Sequence, residues 1–445
     1  MAKGARLILF GATGDLSIGK LLPALSSWYA EEVPFDSIWC IGRRPFDAES
    51  FVAYAETRGK KALHPTLVEK IRYHQLRFEE PNDYTSLVSS MDSECMACNK
   101  TLFFLAVKPG SFSEISKNIA ATGLFRRGNC DCQLLFEKPF GENLESAQII
   151  QNHLLQFASE EQIYRIDHYL GKEMIRNILA LRFSNRIFEE TWNSRSIHTV
   201  RIISHETAGV EERLEYYDSA GAINDMVQSH LLQMLALVAM EKPHDLESET
   251  IRNQKIEVLR HVSLVAPDSL VVGQYDDYRL QAPHLAQSHT ETYVRAELEI
   301  QLPAWGGTRF ILETGKRLSE KRTEIQLEYR TAPLCINNHE ALAAEPNLLI
   351  IQVYPTEGVH LKFNSKIPGY AFQLESVEAE YCHSCRITGN PPEAYVKLLK
   401  DALEGDRTLF AGFEELEIQW KIADMLRNAA SNQPLIFYGG ENPRP

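Results

Sequence analysis

Short apolar runs alternate with amphipathic segments over the first third of the chain. The runs predict six strands, at Arg6–Phe10, Ile38–Ile41, Tyr73–Arg77, Thr101–Val107, Gln133–Phe136 and Gln162–Arg165. Helical periodicity falls between them, for example at Lys20–Tyr29 and Leu144–Phe157. Strands and helices that alternate at this spacing are typical of a parallel, doubly wound sheet. We therefore predict an α/β domain over residues 1–167.

The second part of the chain follows a period of two. Apolar residues occupy every second position in Tyr293–Leu302 and again in Thr323–Arg330, which marks strands with one buried face. Further predicted strands are His198–Ser204, Thr308–Glu313, Leu348–Tyr354 and Val359–Phe363. Predicted helices are Ser219–Met240, Pro392–Leu403 and Glu414–Asn428. Residues 168–445 therefore predict an α+β domain with a large, mostly antiparallel sheet.

Length and charge narrow the class of protein. A chain of 445 residues is long enough for two or three domains. The net charge of −14 argues against nucleic acid or an anionic membrane as the main partner, so local basic residues must hold any anionic ligand. No apolar run approaches the roughly 20 residues that span a bilayer, and the first residues lack the apolar core of a signal peptide. We expect a cytoplasmic location.

The eight cysteines include two pairs with the spacing of metal ligands, Cys95/Cys98 and Cys382/Cys385. Paired CxxC units often bind zinc. These two pairs are far apart in the sequence, and no further ligand cluster flanks them. We therefore expect reduced thiols and no metal site.

The segment RLILFGATGDLSIGKLLPAL reads as a strand, a glycine turn and a helix. Gly11 and Gly14 allow a tight turn and a close approach to a ligand, while amides at the helix start face a phosphate. The strict GxGxxG pattern fails, because Thr13 and Leu16 occupy the second and third glycine positions. An ordinary strand–helix turn is the alternative. The position on the first strand of an alternating domain favours a Rossmann-type dinucleotide site.

Two arginines follow the second predicted strand, in WCIGRRPF. Folds that bind NAD usually place an acidic residue there for the ribose hydroxyls. Arg43 and Arg44 suit the additional 2′-phosphate of NADP instead. The alternative is two solvated arginines on a loop.

The stretch RIDHYLGKE concentrates polar chemistry where a strand meets a helix. Asp167 can orient a base, and His168, Tyr169 and Lys172 can together bind a phosphate. Further along, Asp225 and His230 precede an apolar helical run. Other charged residues occupy predicted turns or strand ends: Lys20, Lys138 before the candidate cis-proline Pro139, Glu206, Lys316 and Lys321. Together they predict a cleft with carboxylates for sugar hydroxyls and ammonium groups for a phosphate.

These motifs resemble the glucose-6-phosphate dehydrogenase family nearly end to end. The resemblance is carried by GATGDLSIGKLLPAL, FEKPFGENL, RIDHYLGKEMIRNILALRFSNRIFE, YYDSAGAINDMVQSHLLQMLALVAMEKP and ETGKRLSEKRTEI. It implies an enzyme that uses NADP to oxidise glucose 6-phosphate at C1 to the 6-phospholactone, at the entry to the oxidative pentose phosphate pathway. It also implies a homodimer, and whether two dimers pair further into a tetramer stays open. The alternating strands point the same way, because one face of the sheet needs a cover.

The resemblance also implies roles for individual residues. His230 corresponds to the general base, and Asp167 to the carboxylate that stabilises it. Lys138 corresponds to a lysine between sugar and cofactor, and Pro139 to a proline that couples the domains. The other sugar-side positions are His168, Tyr169, Lys172, Glu206, Asp225, Lys316 and Lys321, with Lys20 beside the site. The other cofactor-side positions are Gly11, Gly14, Asp15, Leu16, Arg43 and Pro109, next to Arg44.

The chain departs from the family pattern at several positions. Ile18 replaces a basic residue, Leu214 and Glu215 replace two glycines, and Tyr354 stands where a glutamine is common. These departures keep two alternatives open. One is a paralogue that oxidises another sugar 6-phosphate. The other is a catalytically weak, cofactor-binding regulatory protein.

Overall fold

The computed structural model describes residues 4–93, 99–126, 131–331, 334–336, 340–342, 344–369, 373–383, 385 and 394–443. The predicted metal-like pair Cys95/Cys98 lies outside the described residues. The chain divides into two compact units. The first contains Met1–Gly171, Glu247–Arg252 and Pro392–Glu417. The second contains Lys172–Leu246, Asn253–Pro391 and Ile418–Pro445.

Within its described residues, the first unit contains a six-stranded parallel sheet. The strands are β1 (Ala5–Phe10), β2 (Ser37–Gly42), β3 (Ile71–Gln75), β4 (Lys100–Leu105), β5 (Asp131–Glu137) and β6 (Ile163–Ile166). Their order, β3-β2-β1-β4-β5-β6, is that of a Rossmann-type sheet. The intervening helices are α1 (Leu22–Tyr29), α2 (Ala48–Gly59), α3 (Pro65–Lys70), α4 (Pro81–Ser93), α5 (Phe112–Ala121) and α6 (Leu144–Leu154). The predicted fold class and the six predicted strands are confirmed.

The second unit contains a ten-stranded, mostly antiparallel sheet within its described residues, as predicted. Its strands are β7 (Ile197–His205), β8 (Val262–Leu264), β9 (Leu270–Tyr275), β10 (Tyr293–Ile300), β11 (Arg309–Gly315), β12 (Arg322–Tyr329), β15 (Leu348–Tyr354), β16 (Gly358–Lys366), β17 (Leu374–Cys382) and β18 (Leu435–Tyr438). A separate hairpin pairs β13 (Leu334–Ile336) with β14 (Glu340–Leu342). The strand order is β17-β16-β15-β12-β7-β11-β10-β9-β18, with β8 beside β10.

The remaining helices lie in the part of the chain after β6. They are α7 (Glu173–Ser184), α8 (Arg186–Thr191), α9 (Leu214–Ala222), α10 (Leu232–Ala239), α11 (Ser248–Arg260), α12 (Ala394–Glu404) and α13 (Phe413–Ala430). The sequence analysis assigned α12 to the predicted domain of residues 168–445. The helix belongs to the first unit instead, because Leu398, Leu399 and Ala402 are buried in that unit's core. Lys100 Nζ also donates to Leu403 O at 2.7 Å, which ties α12 to β4.

The predicted helix Ser219–Met240 is not one regular α-helix. Gly221 interrupts it with a φ of 66° and a ψ of 178°. A π-helical segment, Ile223–Leu231, then leads into α10. A π-turn bonds residue i to i+5 and inserts one extra residue, which an apolar pattern of ordinary helical period does not reveal.

Strands β16 and β17 form the outer end of the second sheet, and their two faces differ. Register places Phe363 opposite Val377 and Val359 opposite Tyr381, so these apolar side chains share one face. The opposite face is polar, with His360 Nδ1 hydrogen-bonded to Glu378 at 2.8 Å. The apolar face is open in this chain, since Phe363 is 40% exposed and Tyr381 is 39% exposed.

Cys382 and Cys385 form a disulfide at the end of β17. The expectation of reduced thiols is therefore wrong for this pair, whose Cα atoms are 5.4 Å apart, a separation that a disulfide bond spans. Cys40 and Cys132 are free and buried in the first unit. None of the helices in the described ranges is both long enough and apolar enough to span a membrane.

Candidate active site

The glycine turn follows β1 and lies against β4. Gly11 has a φ of +79°, and a β-carbon there would overlap the carbonyl oxygen of Ala106. The amides of Gly11 and Ala12 both donate to Ile41 O at 3.0 Å, which fixes the turn against β2. Gly14 N donates to Gly11 O at 2.9 Å and closes it. Only glycine fits at position 11, so the backbone here forms an open cradle of the kind that dinucleotide phosphates occupy.

The predicted NADP arginines follow β2, next to this turn. A β-carbon at Gly42 would contact both Tyr73 and Thr13, which shows how closely the end of β2 packs against the glycine turn. Arg43 and Arg44 are exposed. Their backbone carbonyls are held by hydrogen bonds from Gln75 Nε2 at 3.1 Å and Tyr73 Oη at 2.8 Å. The backbone is thereby fixed, while the guanidinium groups remain accessible to an anion.

The other predicted cofactor-side residues lie at the same edge of the sheet. Pro109 begins a short 3₁₀ turn after β4. The Asp15 carboxylate is exposed and pairs with Arg58 at 2.5 Å. Leu16 precedes the π-helical turn Ser17–Leu21, and its side chain packs against the core. Leu16 can therefore offer a ligand chiefly its backbone, whereas Lys20 in the same turn is exposed.

Lys138 follows β5, and the peptide bond between Lys138 and Pro139 is cis, as the sequence suggested. The neighbouring Glu137 was not identified from the sequence. Burial raises the pKa of Glu137 to about 7, while a hydrogen bond from Tyr395 and the charge of Lys138 oppose the rise. The negative charge of Asp167 adds to it. A buried carboxyl with a pKa near neutrality therefore lies beside two of the predicted site residues.

Asp167 is buried directly after β6. Its Oδ1 accepts from Tyr169 N at 3.0 Å, and its carbonyl accepts from Leu170 N at 3.0 Å, so the RIDHYLGKE stretch forms a compact turn. The ring of His168 packs edge-on against Tyr169 and parallel to Tyr395. The structure thus brings Asp167, His168 and Tyr169 together with Tyr395, which was not assigned to the site from the sequence.

In the second unit, Asp225 and His230 lie on the π-helical segment. They are five residues apart, and an i to i+5 turn places such residues on one face, where an α-helix would separate them. Asp225 is 4% exposed and His230 is 1% exposed. Arg213 Nη2 lies 3.6 Å from Asp225 Oδ1. Two buried polar groups therefore share a face next to an apolar helix, which is unusual outside a functional site.

Glu206 and Lys316 form an ion pair just after the ends of β7 and β11. Backbone hydrogen bonds fix both strand ends, from Glu206 N to Gly315 O at 2.9 Å and from Leu318 N to Glu206 O at 3.0 Å. The Lys316 ammonium also lies 5.2 Å from the ring centre of Tyr217. Burial raises the pKa of Tyr217, and the charges of Asp225 and Glu206 add to this rise. Glu206, Asp225 and Lys316 therefore surround one tyrosine.

Two predicted lysines have other neighbours. Lys172 immediately precedes α7, and its charge lowers the pKa of Glu357, which burial raises overall. Lys321 is exposed, and its ammonium lies 4.6 Å from the ring centre of Tyr354. Tyr354 is one of the positions that depart from the family pattern. The departure at Ile18 has a structural role, because Ile18 is buried in the core of the first unit.

The predicted site residues divide between the two units. Asp167, His168 and Lys138 belong to the first unit, whereas Lys172 and His230 belong to the second. The predicted pairing of Asp167 with His230 stays a prediction.

Comparison with known proteins gives one consistent result. A family model described as "Glucose-6-phosphate dehydrogenase, NAD binding domain" matches residues 8–177, and "Glucose-6-phosphate dehydrogenase, C-terminal domain" matches residues 179–445. The glucose-6-phosphate 1-dehydrogenase of Bacillus subtilis is 35% identical over 97% of this chain and 93% of its own length.

Solved structures agree with the sequence comparisons. A glucose-6-phosphate dehydrogenase in complex with glucose 6-phosphate matches with a TM-score of 0.90 and 29% identity, and covers 100% of this chain and 97% of its own. The enzyme of Mycobacterium avium matches with a TM-score of 0.86 and 28% identity, over 99% of this chain and 95% of its own.

Gly11→Ala should weaken dinucleotide binding by tenfold or more. The new β-carbon would overlap Ala106 O and displace the turn. Gly405→Ala is the matched control, because Gly405 has a φ of +80° but open space around a β-carbon. Both variants carry the strain of a positive φ, roughly 1 kcal/mol or more. Coenzyme titration should therefore separate them, and equal affinities would contradict the cradle.

Proposed function

Because the chain belongs to the glucose-6-phosphate dehydrogenase family, we propose that His230 is the general base of its reaction, the oxidation of glucose 6-phosphate at C1. The observation that carries this assignment is the burial of His230 and Asp225 on one π-helical turn. A histidine that accepts a proton near neutral pH suits removal of the proton from the anomeric hydroxyl. Loss of that proton would supply the electron push from oxygen that departure of a hydride from C1 requires.

The sugar would be held by the charged groups around Tyr217. We propose that Glu206 and Asp225 accept hydrogen bonds from sugar hydroxyls, and that Lys316 orients Glu206 through their ion pair. Lys138 and Lys321 complete the sugar-side assignments. His168, Tyr169 and Lys172 are assigned to the phosphate, since a phosphate takes several charge-assisted hydrogen bonds at once. Asp167 is assigned to the support of the base.

NADP is the cofactor of the family, and its bound nicotinamide supplies the hydride acceptor. We propose that this chain prefers NADP to NAD. The cradle at Gly11 and Gly14 suits the pyrophosphate, with Asp15, Leu16, Pro109 and Lys138 beside it. Arg43 and Arg44 are exposed after β2, where the adenosine ribose of a dinucleotide lies in Rossmann folds. Guanidinium groups bind a 2′-phosphate at this position.

We further propose that two copies of the chain associate through the apolar face of β16 and β17. The open side chains of that face are Val359, Leu361, Phe363, Val377 and Tyr381. An exposed apolar sheet face of this kind is typical of an interface between subunits. The mass measurement described below also distinguishes this dimer from a tetramer of two dimers. We place the enzyme in the cytoplasm, where sugar phosphates and their coenzymes occur.

His230→Asn should lower kcat by roughly 10²–10⁴-fold, which is the usual contribution of a general base. The Michaelis constant for glucose 6-phosphate should change little, because asparagine keeps a hydrogen-bonding side chain. His261→Asn is the control, since His261 directly follows α11, is partly exposed and bonds to Glu257 O of that helix. Formation of reduced coenzyme at 340 nm measures both variants. A kcat near wild type for His230→Asn would refute the assignment.

The double variant Arg43→Ala/Arg44→Ala should raise the Michaelis constant for NADP and leave that for NAD nearly unchanged. A charge-assisted contact to phosphate contributes roughly 1.5–3 kcal/mol, or at least about tenfold in affinity. Arg77→Ala is the control, because Arg77 is also exposed but is paired with Asp83 at 3.1 Å. Steady-state kinetics with both coenzymes is the measurement. An equal loss for NAD and NADP would show that these arginines contact another part of the ligand.

The dimer proposal predicts about twice the 50.6 kDa chain mass in light scattering at micromolar concentration. Phe363→Asp should give a monomer, because it buries a charge in the apolar interface. Ser376→Asp is the control, since register places Ser376 on the opposite, polar face of the same strand pair. Dissociation of both variants, or of neither, would contradict the assignment of the apolar face.

A further inference from the structure

The π-helical segment that carries Asp225 and His230 lacks a cap from its own sequence. Its first residue is Ile223, and the preceding residue is Ala222, which has no side-chain oxygen. The amide groups at a helix start need acceptors from elsewhere, and water serves exposed ends only. Both Ala222 and Ile223 are buried.

Glu291 supplies two of these acceptors from a distant part of the chain. Its Oε1 accepts from Ile223 N at 3.0 Å, and its carbonyl oxygen accepts from Ala222 N at 3.0 Å. A carboxylate at this end of a helix is also favoured by the helix dipole. One residue therefore caps the helix with its side chain and its backbone together.

The preceding glycine makes room for this carboxylate. Gly221 has a φ of 66° and a ψ of 178°, a backbone conformation that residues other than glycine rarely adopt. A β-carbon at Gly221 would overlap Oε1 of Glu291. Burial raises the pKa of Glu291 to about 7, while the hydrogen bonds from Ile223 and Ala222 and the charge of Arg427 oppose the rise.

Thr292, which follows Glu291 in the sequence, connects this part of the chain to Lys316. Thr292 O accepts from Lys316 N at 3.0 Å. Thr292 is itself fixed, because its amide donates to Gly273 O at 2.7 Å and it is fully buried. Residues 291 and 292 therefore hold the start of the π-helical segment on one side and the backbone of Lys316 on the other.

We propose that Glu291 is a positioning residue for catalysis, which sets the location of the helix that carries Asp225 and His230 relative to Lys316. The proposal rests on the function proposed for His230. It requires no contact between Glu291 and the substrate. Because the helix carries the proposed base His230 as well as Asp225, loss of this positioning should slow the chemical step and not only weaken substrate binding.

Three substitutions separate a positioning role from a role of charge. Glu291→Gln keeps an oxygen acceptor for Ile223 N and should keep kcat within about threefold of wild type. Glu291→Asp keeps the charge but withdraws the carboxylate by one methylene, and Glu291→Ala removes the acceptor. Both should lower kcat by roughly tenfold or more, since a displacement of about 1 Å can cost up to about 10²-fold. If Glu291→Ala does not fold, the kcat of Glu291→Gln relative to that of Glu291→Asp still distinguishes a positioning role from a role of charge.

The second readout is the isotope effect on kcat with glucose 6-phosphate deuterated at C1. It should rise in Glu291→Asp and Glu291→Ala, because hydride transfer becomes slower than product release. Asn143→Ala is the control, since Asn143 caps α6 through Ser146 N at 2.8 Å and no site residue is assigned to that helix. The control should lose thermal stability without a change in kcat or in the isotope effect.

Three outcomes would overturn the proposal, and they are distinguishable. If Glu291→Asp is as active as wild type and Glu291→Gln is impaired, Glu291 acts by its charge. If all three variants keep the wild-type kcat and isotope effect while His230→Asn is inactive, the helix does not depend on Glu291. If His230→Asn itself retains activity, the proposed function fails, and this inference fails with it.

Discussion

The assignments in the second unit depend on how one buried helix start is satisfied. A helix that begins in the interior leaves amide groups that water cannot reach, and each unpaired group is unfavourable by roughly 1–3 kcal/mol. Glu291 provides acceptors for two of these amides, those of Ala222 and Ile223. Thr292, the residue after Glu291, also accepts a hydrogen bond from the backbone of Lys316. The positions of His230 and Lys316 therefore follow from one set of hydrogen bonds.

The first unit relies on a different constraint, which is the common direction of its strands. In a parallel sheet every strand ends at the same edge, so loops that are distant in the sequence become neighbours there. Gly11, Arg43, Pro109, Lys138 and Asp167 all follow the carboxyl ends of such strands. The sheet thus brings the glycine turn and the Asp167 carboxylate to one edge, although they are far apart in the sequence. Burial then adjusts the chemistry, as the raised pKa of Glu137 illustrates.

The parts of the fold that the sequence predicted well are those whose burial has a regular period. Strands β10 and β12 bury one face each, so their alternation is visible in the sequence. The buried runs of β1 and β4 are likewise continuous. Strand β9 was missed, although its side chains are buried throughout, because its glycine and polar residues break the apolar run.

The site was less predictable, because its supports are distant in sequence. The cap on Ile223 comes from 68 residues away, and Tyr395 reaches Glu137 across a still longer separation. No local pattern encodes such contacts. The π-helical turn was also invisible, since one inserted residue barely disturbs the apolar pattern of nine. The family resemblance named His230 and Asp225 but could not show that they share a face.

The discontinuous makeup of the first unit has a consequence for the order in which the protein forms. Its core includes Leu398 and Leu399, and the side chain of Lys100 is bonded to Leu403 O. A ribosome therefore releases the glycine cradle long before the helix that completes its core has been made. The segment Met1–Gly171 therefore keeps an apolar face uncovered while more than two hundred further residues are synthesised. We expect this arrangement to affect the dependence on chaperones during translation more than the stability of the finished fold.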